Sequence, residues 1–296
     1  MRRSKSPGKW SLPAVILSAV FATALLAYGG FILWDVMHKN DKGRPIVVTE
    51  TGGNGNFRAM LEVPDENIPL STIDKSCLTK DENGYKIYTE NGEKTSLTGI
   101  DVSKWNGTID WKKVRGSGIE FVMIRLGNSK LNSGDITLDP MFKEYMEGAL
   151  EAGLKVGVYY YTQAITKEEA VAEAEFCIKN LEDYYVTFPV VFDTERYDGS
   201  GRADNLDNAL RTEIARSFMD RIKEAGYTPA IYMNTSWSLM NIDLKDLTEY
   251  DHWYAYYGDD LYWPYRFTMW QYTEKAQIPG IEGNVDLNIS FVDYSK

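Results

Sequence analysis

Five acidic residues stand at or beside apolar, β-rich runs: Asp101 in TGIDVSKW, Asp193 and Glu195 in PVVFDTE, Asp259 in YAYYGDD, and Asp286 in GNVDLN. All but Asp259 end strand-like segments, and the DxE spacing puts two carboxylates on one face of a strand because strand residues alternate. Glycoside hydrolysis needs one carboxylic acid that stays protonated near neutrality beside others that stay ionised. The pattern therefore predicts acid catalysis on a neutral polymer.

Few other residue types are available for catalysis. His38 and His252 are the only histidines, so a Ser-His or Cys-His pair, or zinc held by several histidines, is not expected. Cys77 and Cys177 are too few for a disulfide framework, and they are either free thiols or a single bond between the N-terminal part and the main domain. We predict no metal ion and no cofactor, since acid catalysis of this kind requires none.

Strand-like segments alternate with amphipathic helices from residue 97 onward. The strand candidates are LTGIDVS, EFVMIRLG, KVGVYYYTQ, FPVVFDTE and PAIYMN, with helix candidates at 139–153, 166–183 and 206–226. Gly153 and Gly226 stand where helix C-caps are expected. The alternation predicts a parallel α/β barrel whose active site lies at the C-terminal ends of the strands, where the four carboxylates fall. Three further strand candidates, WYAYY, TMWQY and NVDLN, leave little room for helices, so we expect an irregular end.

The N-terminal region has the pattern of a membrane signal. Residues 11–34 contain no charged residue and could cross a bilayer of roughly 30 Å as a helix, and residues 1–10 carry four cations and no acidic residue. The positive-inside rule predicts a cytoplasmic N-terminus with the catalytic domain outside. Because a signal-peptide h-region is usually only about 7–15 residues, the longer apolar run favours an uncleaved, single-pass signal anchor in the cell membrane. Cleavage near Ala22-Thr23-Ala24 would instead give a secreted protein.

A linker is predicted between this anchor and the barrel. Residues 35–96 are polar and turn-rich, which predicts a stalk, with a small hairpin at 80–94 that packs on the main domain. The catalytic domain is then 97–296. Without the four N-terminal cations the chain has 28 basic and 43 acidic residues, about −15, so nucleic acid is not an expected partner.

Four blocks in order carry a family resemblance: GIDVSKWNGTIDWKKVRGSGIEFVMIR, AGLKVGVYYYTQAITKEEAVAEA, PVVFDTE and WQYTEKAQIPGIEGNVDLN. From about Leu97 onward the chain resembles the glycoside hydrolase family 25 lysozymes, the Chalaropsis-type N-acetylmuramidases. The resemblance implies an irregular TIM-like (β/α)5(β)3 barrel, in agreement with the helix-poor end. It also implies cleavage of the β-1,4 bond between N-acetylmuramic acid and N-acetylglucosamine, with peptidoglycan glycan strands as the partner; protein partners stay open.

The resemblance also implies roles for the acidic residues. Glu195 matches the family's catalytic acid, and nearby carboxylates should raise its pKa. Asp193 matches the first acidic residue of the DxE motif and would orient the 2-acetamido group in a retaining, substrate-assisted reaction; direct attack by an aspartate is the alternative. Asp101 and Asp286 match the two other acidic positions and would bind sugar or stabilise positive charge. For these two, a strand-end cap or an ion pair with Arg125 is the structural alternative.

Flat aromatic rings pack against the apolar faces of sugar rings, so aromatic residues on predicted strands are candidates for a glycan groove. The predicted substrate-binding residues are Tyr159, Tyr161, Tyr232, Trp253, Tyr256 and Gln271. We expect Trp105 and Trp111 to be packing residues of the first βα unit, and Asp259, which has no motif support, to be a solvated loop residue. Lys104 stands where many family members have His, and this departure leaves the acidic set intact.

Two other classes of function stay open. A catalytically silent peptidoglycan-binding module would bind glycan without cleaving it, and a membrane-tethered spacer would use the barrel only as a scaffold. The intact DxE motif counts against the first, and four converging carboxylates have no purpose in the second. The pattern therefore favours an enzyme.

Overall fold

A closed barrel of eight strands begins at residue 97 in the computed structural model, which describes residues 46–50, 57–61, 64–197, 199–258, 261 and 263–296. The strands are β1 (Ile46–Glu50), β2 (Phe57–Leu61), β3 (Leu78–Lys80), β4 (Lys86–Glu90), β5 (Glu93–Lys94), β6 (Leu97–Val102), β7 (Phe121–Ser129), β8 (Ile136–Leu138), β9 (Lys155–Tyr161), β10 (Val190–Asp193), β11 (Pro229–Asn234), β12 (Asp251–Ala255), β13 (Met269–Ala276) and β14 (Val285–Ser290). The helices are α1 (Trp111–Gly116), α2 (Phe142–Glu151), α3 (Lys167–Leu181), α4 (Asn208–Glu224) and α5 (Thr235–Met240).

The barrel has seven parallel strands and one antiparallel strand. Its order is β6-β14-β13-β12-β11-β10-β9-β7, and pairing of β6 with β7 closes the ring. Strand β14 runs antiparallel to both neighbours, β13 and β6. Helices α1 to α5 each follow one of the first five barrel strands, and the described residues between β12 and β14 contain no helix. The expected α/β barrel of five βα units followed by three strands is therefore confirmed.

The three predicted helices form with ends fixed by local chemistry. Side chains cap two of them, since Thr166 accepts from the backbone N–H of Glu169 and Asp207 from that of Leu210. Gly153 and Gly226 follow α2 and α4 with φ of 75° and 88°, which is the backbone conformation expected of a helix-ending glycine. The short helices α1 and α5, of six residues each, were not predicted as separate elements.

A cluster of apolar side chains, which we call the plug, fills the barrel below the C-terminal ends of the parallel strands, which we call the mouth. Phe121, Met123, Phe188 and Met269 are buried there in one cluster, and the rings of Phe121 and Phe188 stack with centroids 4.5 Å apart. Gly99 on β6 leaves room for the Phe121 ring, because a Cβ at residue 99 would lie 2.4 Å from it.

We expect Gly99→Ala to destabilise the fold by about 1–3 kcal/mol, because the added methyl group overpacks the plug. Urea denaturation measures the change in the free energy of unfolding. The matched control is Gly116→Ala at the end of α1, where nothing lies within 4 Å of the added Cβ. Equal stability of the two variants would show that the plug relaxes around the methyl group.

The segment from residue 64 to the start of the barrel, most of which the sequence analysis assigned to a stalk, is folded against the barrel. Ile68, Tyr85 and Tyr88 are buried, and strands β3, β4 and β5 form a small sheet that includes the predicted hairpin. The backbone N–H of Lys86 donates to the Tyr272 hydroxyl at 3.1 Å. Polar composition suggested a stalk through residue 96, but the few apolar side chains are spaced to bury on the barrel. Residues 64–96 therefore belong to the same folded unit.

The structure describes only part of the region covered by the other N-terminal predictions. The predicted anchor at 11–34 and His38 lie outside the described residues, and among the described helices none has the length and apolarity to cross a bilayer. Strands β1 and β2 pair as an antiparallel hairpin within the predicted stalk. Cys77, which is partly exposed, and Cys177, which is buried, are both free thiols, so the disulfide alternative is not adopted.

Candidate active site

All four predicted carboxylates line one cavity of about 220 Å³ at the barrel mouth: Asp101, Asp193, Glu195 and Asp286. The other lining residues are Tyr159, Tyr232, Trp253, Tyr257 and Gln271. Four of the six predicted substrate-binding residues are among them. The barrel therefore brings together the acidic set that the sequence pattern singled out.

Strand direction explains how each carboxylate reaches the mouth. Asp101 lies one residue before the end of β6, Asp193 ends β10, and Glu195 follows in the next loop. The expectation that every carboxylate ends a strand is wrong for Asp286, which is the second residue of β14. The antiparallel direction of β14 brings its beginning to the mouth, where Asp286 pairs in register with Asp101.

A network of amides holds Asp101. Gln271 Nε2 and Asn288 Nδ2 both donate to Asp101 Oδ2, each at 2.8 Å. The amides are oriented in turn, since Gln271 Oε1 accepts from the Tyr232 hydroxyl at 2.9 Å and Asn288 Oδ1 accepts from Trp253 Nε1 at 2.9 Å. Burial raises the pKa of Asp101 to about 6, against the two amide bonds, which lower it. The network thus presents a fixed carboxylate that is ionised at neutral pH.

Asp193 and Glu195 are hydrogen-bonded to each other and share protons. Burial raises the pKa of both carboxyl groups, and it raises that of Asp193 further, where the charge of Glu195 adds to the effect. Two carboxyl groups in contact cannot both ionise easily, so the contact favours retention of one proton by the pair. Asp193 Oδ1 is buried and accepts no hydrogen bond from an N–H group or a hydroxyl group in the described part of the chain.

The pKa of Asp286 is raised further above its ordinary value than that of Asp101. Burial, followed by the charges of Asp101 and Glu274, raises its pKa to about 8. At neutral pH it carries a proton and can donate a hydrogen bond to a sugar oxygen. The cavity therefore combines an ionised carboxylate, a neutral acid and a proton-sharing pair.

Tyr257 lines the cavity in place of the predicted Tyr256. Residues alternate along β12, and since Trp253 faces the cavity, Tyr257 shares its side and Tyr256 does not. Tyr256 packs outside the barrel, with its ring stacked on Tyr254 at 6.3 Å. The Tyr257 hydroxyl donates to Gln271 Oε1 at 2.8 Å. The same alternation along β14, applied from Asp286, identifies Asn288, which the sequence analysis missed.

The remaining predicted residues have varied positions. Tyr161 pairs in register with Asp193, and its pKa is raised by burial and by the charges of Asp193 and Glu195, so it lies beside the cavity without lining it. Arg125 forms an ion pair with Asp139 at 2.6 Å, so the proposed alternative of pairing with Asp101 or Asp286 is not adopted. Asp259 lies outside the described residues.

Of the two tryptophans assigned to packing, only Trp111 packs. It is buried against Tyr145 with ring centroids 5.6 Å apart. Trp105 is 79% exposed, just after β6, with the Lys104 ammonium group 4.8 Å from its ring centre. Tyr197 and Tyr257, 55% and 49% exposed, similarly follow β10 and β12. Three exposed rings thus follow strand ends at the mouth.

A barrel of this kind, with carboxyl groups of raised pKa at the C-terminal ends of its strands, defines a hydrolase that works by acid–base chemistry. Comparison with known proteins gives the family. The sequence profile of "Glycosyl hydrolases family 25" matches residues 100–281, more than half of the chain. The chain belongs to this family and is a glycoside hydrolase.

Individual proteins are similar to this chain over most of the barrel. The uncharacterized protein YegX of Escherichia coli (strain K12) is 28% identical over 200 residues, 66% of this chain and 69% of that protein. The autolytic lysozyme of Clostridium acetobutylicum is 28% identical over 200 residues, 65% of this chain and 55% of that protein. The structure of the modular autolysin LytC from Streptococcus pneumoniae, in complex with a synthetic peptidoglycan ligand, has a TM-score of 0.61 at 24% identity, covering 84% of this chain and 57% of LytC. The chain thus spans little more than half of the last two proteins.

Proposed function

We propose that this chain is a muramidase that cleaves the β-1,4 bond between N-acetylmuramic acid and N-acetylglucosamine in peptidoglycan. The observation that carries the proposal is the hydrogen-bonded pair of Asp193 and Glu195 with raised pKa values at the mouth. The substrate class comes from the relatives, which include an autolytic lysozyme and an autolysin with a peptidoglycan ligand.

In the first step, Glu195 gives its proton to the glycosidic oxygen as the bond from that oxygen to C1 breaks. The carbonyl oxygen of the substrate's own 2-acetamido group attacks C1 and forms a cyclic oxazolinium. With the proton of the pair on Glu195, Asp193 is ionised; it accepts a hydrogen bond from the N–H of that group and balances the positive charge on the ring. Glu195 suits the proton transfer because it is the more exposed of the pair.

In the second step, water attacks C1 and opens the ring, and Glu195 takes up the water proton, which restores the starting state with retained configuration. Asp101, ionised and fixed by its amides, stabilises the positive charge that develops at C1. Asp286, protonated near neutral pH, donates a hydrogen bond to the sugar. The two aspartates therefore serve binding and charge stabilisation.

The contact between the two carboxyl groups favours substrate assistance over attack by an aspartate. In retaining enzymes with a carboxylate nucleophile, acid and nucleophile stand about 5–5.5 Å apart on either side of the bond. Asp193 and Glu195 are in hydrogen-bond contact, which leaves no room for a sugar ring between them. Asp101 is the remaining ionised candidate, but its Oδ2 already accepts two amide hydrogens.

The test is digestion of purified peptidoglycan by the full chain, with mass spectrometry of the new reducing ends and NMR of the first anomer released. We expect new muramic acid reducing ends in the β configuration. N-acetylglucosamine ends would overturn the bond assignment, and the α anomer would overturn the retaining mechanism. Glycan binding without cleavage would identify a binding module instead.

We also propose that residues 11–34 anchor the chain in the cell membrane as a single pass, with the barrel outside. The support is the uncharged segment and its basic flank, together with an extracellular substrate. N-terminal sequencing and membrane fractionation of the native protein test this placement. A mature chain that begins near residue 25 in the soluble fraction would establish a secreted enzyme.

We expect Trp105→Ala to raise KM for polymeric glycan by about 2- to 10-fold with little change in kcat, because an exposed ring at the mouth stacks on sugar without touching the reacting bond. Initial rates on glycan strands of increasing concentration measure this split. Tyr185→Ala is the matched control, since Tyr185 is 78% exposed but lies in the loop before β10, at the opposite end of the barrel. An unchanged KM in the Trp105 variant would remove this ring from the glycan path.

A further inference from the structure

A second cavity, of about 440 Å³, lies beside the acidic one. Its lining includes Lys80, Tyr85, Lys86, Tyr257, Tyr272 and Lys275, and we call it the basic pocket. Three lysines and no Asp or Glu stand among its described lining residues. In a chain of formal net charge −11 this is a local reversal of charge.

The two cavities are neighbours through shared walls. Tyr257 lines both of them, and its hydroxyl donates to the Gln271 amide that holds Asp101. Leu287 of the basic pocket directly follows Asp286 of the acidic cavity on β14. A sugar in the acidic cavity therefore stands about one side chain from the basic pocket.

In the basic pocket, neighbouring rings hold one lysine side chain in place, whereas a second lysine side chain is exposed. The Lys86 ammonium group lies 5.0 Å from the Trp270 ring centre and 5.7 Å from that of Tyr272, so the aromatic rings hold it in place. Lys275 is exposed, and its 3.7 Å contact with the exposed Glu274 is a weak surface pair. An incoming anion can compete with that pair for the Lys275 ammonium group.

One wall of the basic pocket comes from outside the part of the chain that matches the family. Lys80, Tyr85 and Lys86 belong to the small sheet docked on the barrel, and the family match begins only at residue 100. The opposite wall comes from the end of β13, which extends past its pairing with β12. The pocket is thus a product of how the N-terminal segment of this chain packs.

We propose that the basic pocket binds a carboxylate of the peptide that muramic acid carries in peptidoglycan. The inference rests on the proposed function and specifies its substrate: the sugars are uncharged at the scissile bond, while the peptide on each muramic acid ends in carboxylate groups. The ionised carboxylates of the acidic cavity repel such a peptide, and the lysines next to the cavity attract one. The pocket then selects glycan that bears peptides over bare glycan.

Titration calorimetry tests this with the full chain carrying Glu195→Gln, which prevents turnover during the measurement. The two ligands are a muramic acid–glucosamine disaccharide and the same disaccharide with its tetrapeptide. We expect tighter binding of the peptide-bearing ligand and loss of that advantage in high salt. Adding Lys275→Gln should weaken binding of the peptide-bearing ligand by about 2- to 5-fold, and adding the exposed Lys143→Gln on α2 should not.

Equal affinity for the two ligands, or a peptide advantage that persists in a Lys80→Gln/Lys275→Gln double variant, would overturn the proposal. Cleavage by the chain with Glu195 intact is measured separately on peptidoglycan and on bare glycan strands. If both substrates are cleaved with equal kcat/KM, the muramidase proposal stands and the proposal that the basic pocket binds a peptide is wrong. If neither substrate is cleaved but binding still depends on the peptide, the muramidase proposal is wrong and the proposal for the basic pocket stands.

Discussion

Glu195→Gln is expected to lower kcat on peptidoglycan by about 10²- to 10⁴-fold, the range that a positioned general acid contributes. The amide keeps the size of the side chain but holds no transferable proton, so the glycosidic oxygen must leave as an anion. KM should change little, because Glu195 is expected to act on the reacting bond. Release of reducing ends from purified peptidoglycan at several pH values gives both parameters.

Glu151→Gln is the matched control, since Glu151 is exposed at the end of α2 and remote from the mouth. It should retain full activity. Retained activity in the Glu195 variant, with an unchanged melting temperature, would move the role of acid to another carboxyl group of the cavity. Asp286 would be the first to examine, because its pKa of about 8 also keeps it protonated near neutral pH.

Asp193→Asn is expected to lower kcat by about 10²- to 10³-fold and to shift the pH profile. The amide cannot balance the charge of the oxazolinium. It also removes the carboxyl group whose hydrogen bond lowers the pKa of Glu195. The pKa of Glu195 should therefore rise, and the alkaline limb of the kcat profile, where the proton of Glu195 is lost, should move to higher pH.

The profile of kcat against pH measures this shift, and a structural role alone would not produce it. Asp183→Asn, at an exposed position after α3, is the matched control and should leave the profile unchanged. An alkaline limb that stays in place would mean that Glu195 titrates independently of Asp193. In that case the proton-sharing pair could not be the source of the acid.

The barrel could be predicted from the sequence because its signals are local. Thr166 and Asp207 cap helices within a few residues of themselves, and alternation of apolar runs with amphipathic helices implies parallel strands. The direction of β14 could not be predicted, because a short link after β13 permits an antiparallel return that local pattern does not encode. The packing of the hairpin at 80–94 was predicted, but that of residues 64–79 was missed for a similar reason: Leu70 bridges to Tyr265, which is distant in the sequence.

The four carboxylates meet at the barrel mouth, where the sequence pattern predicted them, but two residues beside them, Tyr257 and Asn288, were missed. Because side chains alternate along a strand, a cavity-facing Trp253 implies that Tyr257, and not Tyr256, faces the cavity. The same alternation from Asp286 identifies Asn288. The exposure of Trp105 had no local signal, because a tryptophan in a first βα unit is equally consistent with packing. The acidic residues of the sequence indicate acid–base chemistry. The distances between them depend on tertiary packing, which a local sequence pattern does not encode.

The amide network around Asp101 also orders events during synthesis of the chain. Asp101 lies on the first barrel strand, whereas Gln271 and Asn288, which hold it, follow 170 and 187 residues later on the last two strands. The ring cannot close, and this carboxylate cannot be fixed, until β14 has left the ribosome. A nascent or prematurely terminated chain that lacks β14 would therefore carry Asp101, Asp193 and Glu195 without a working hydrolase, so that activity begins only once β14 has been added.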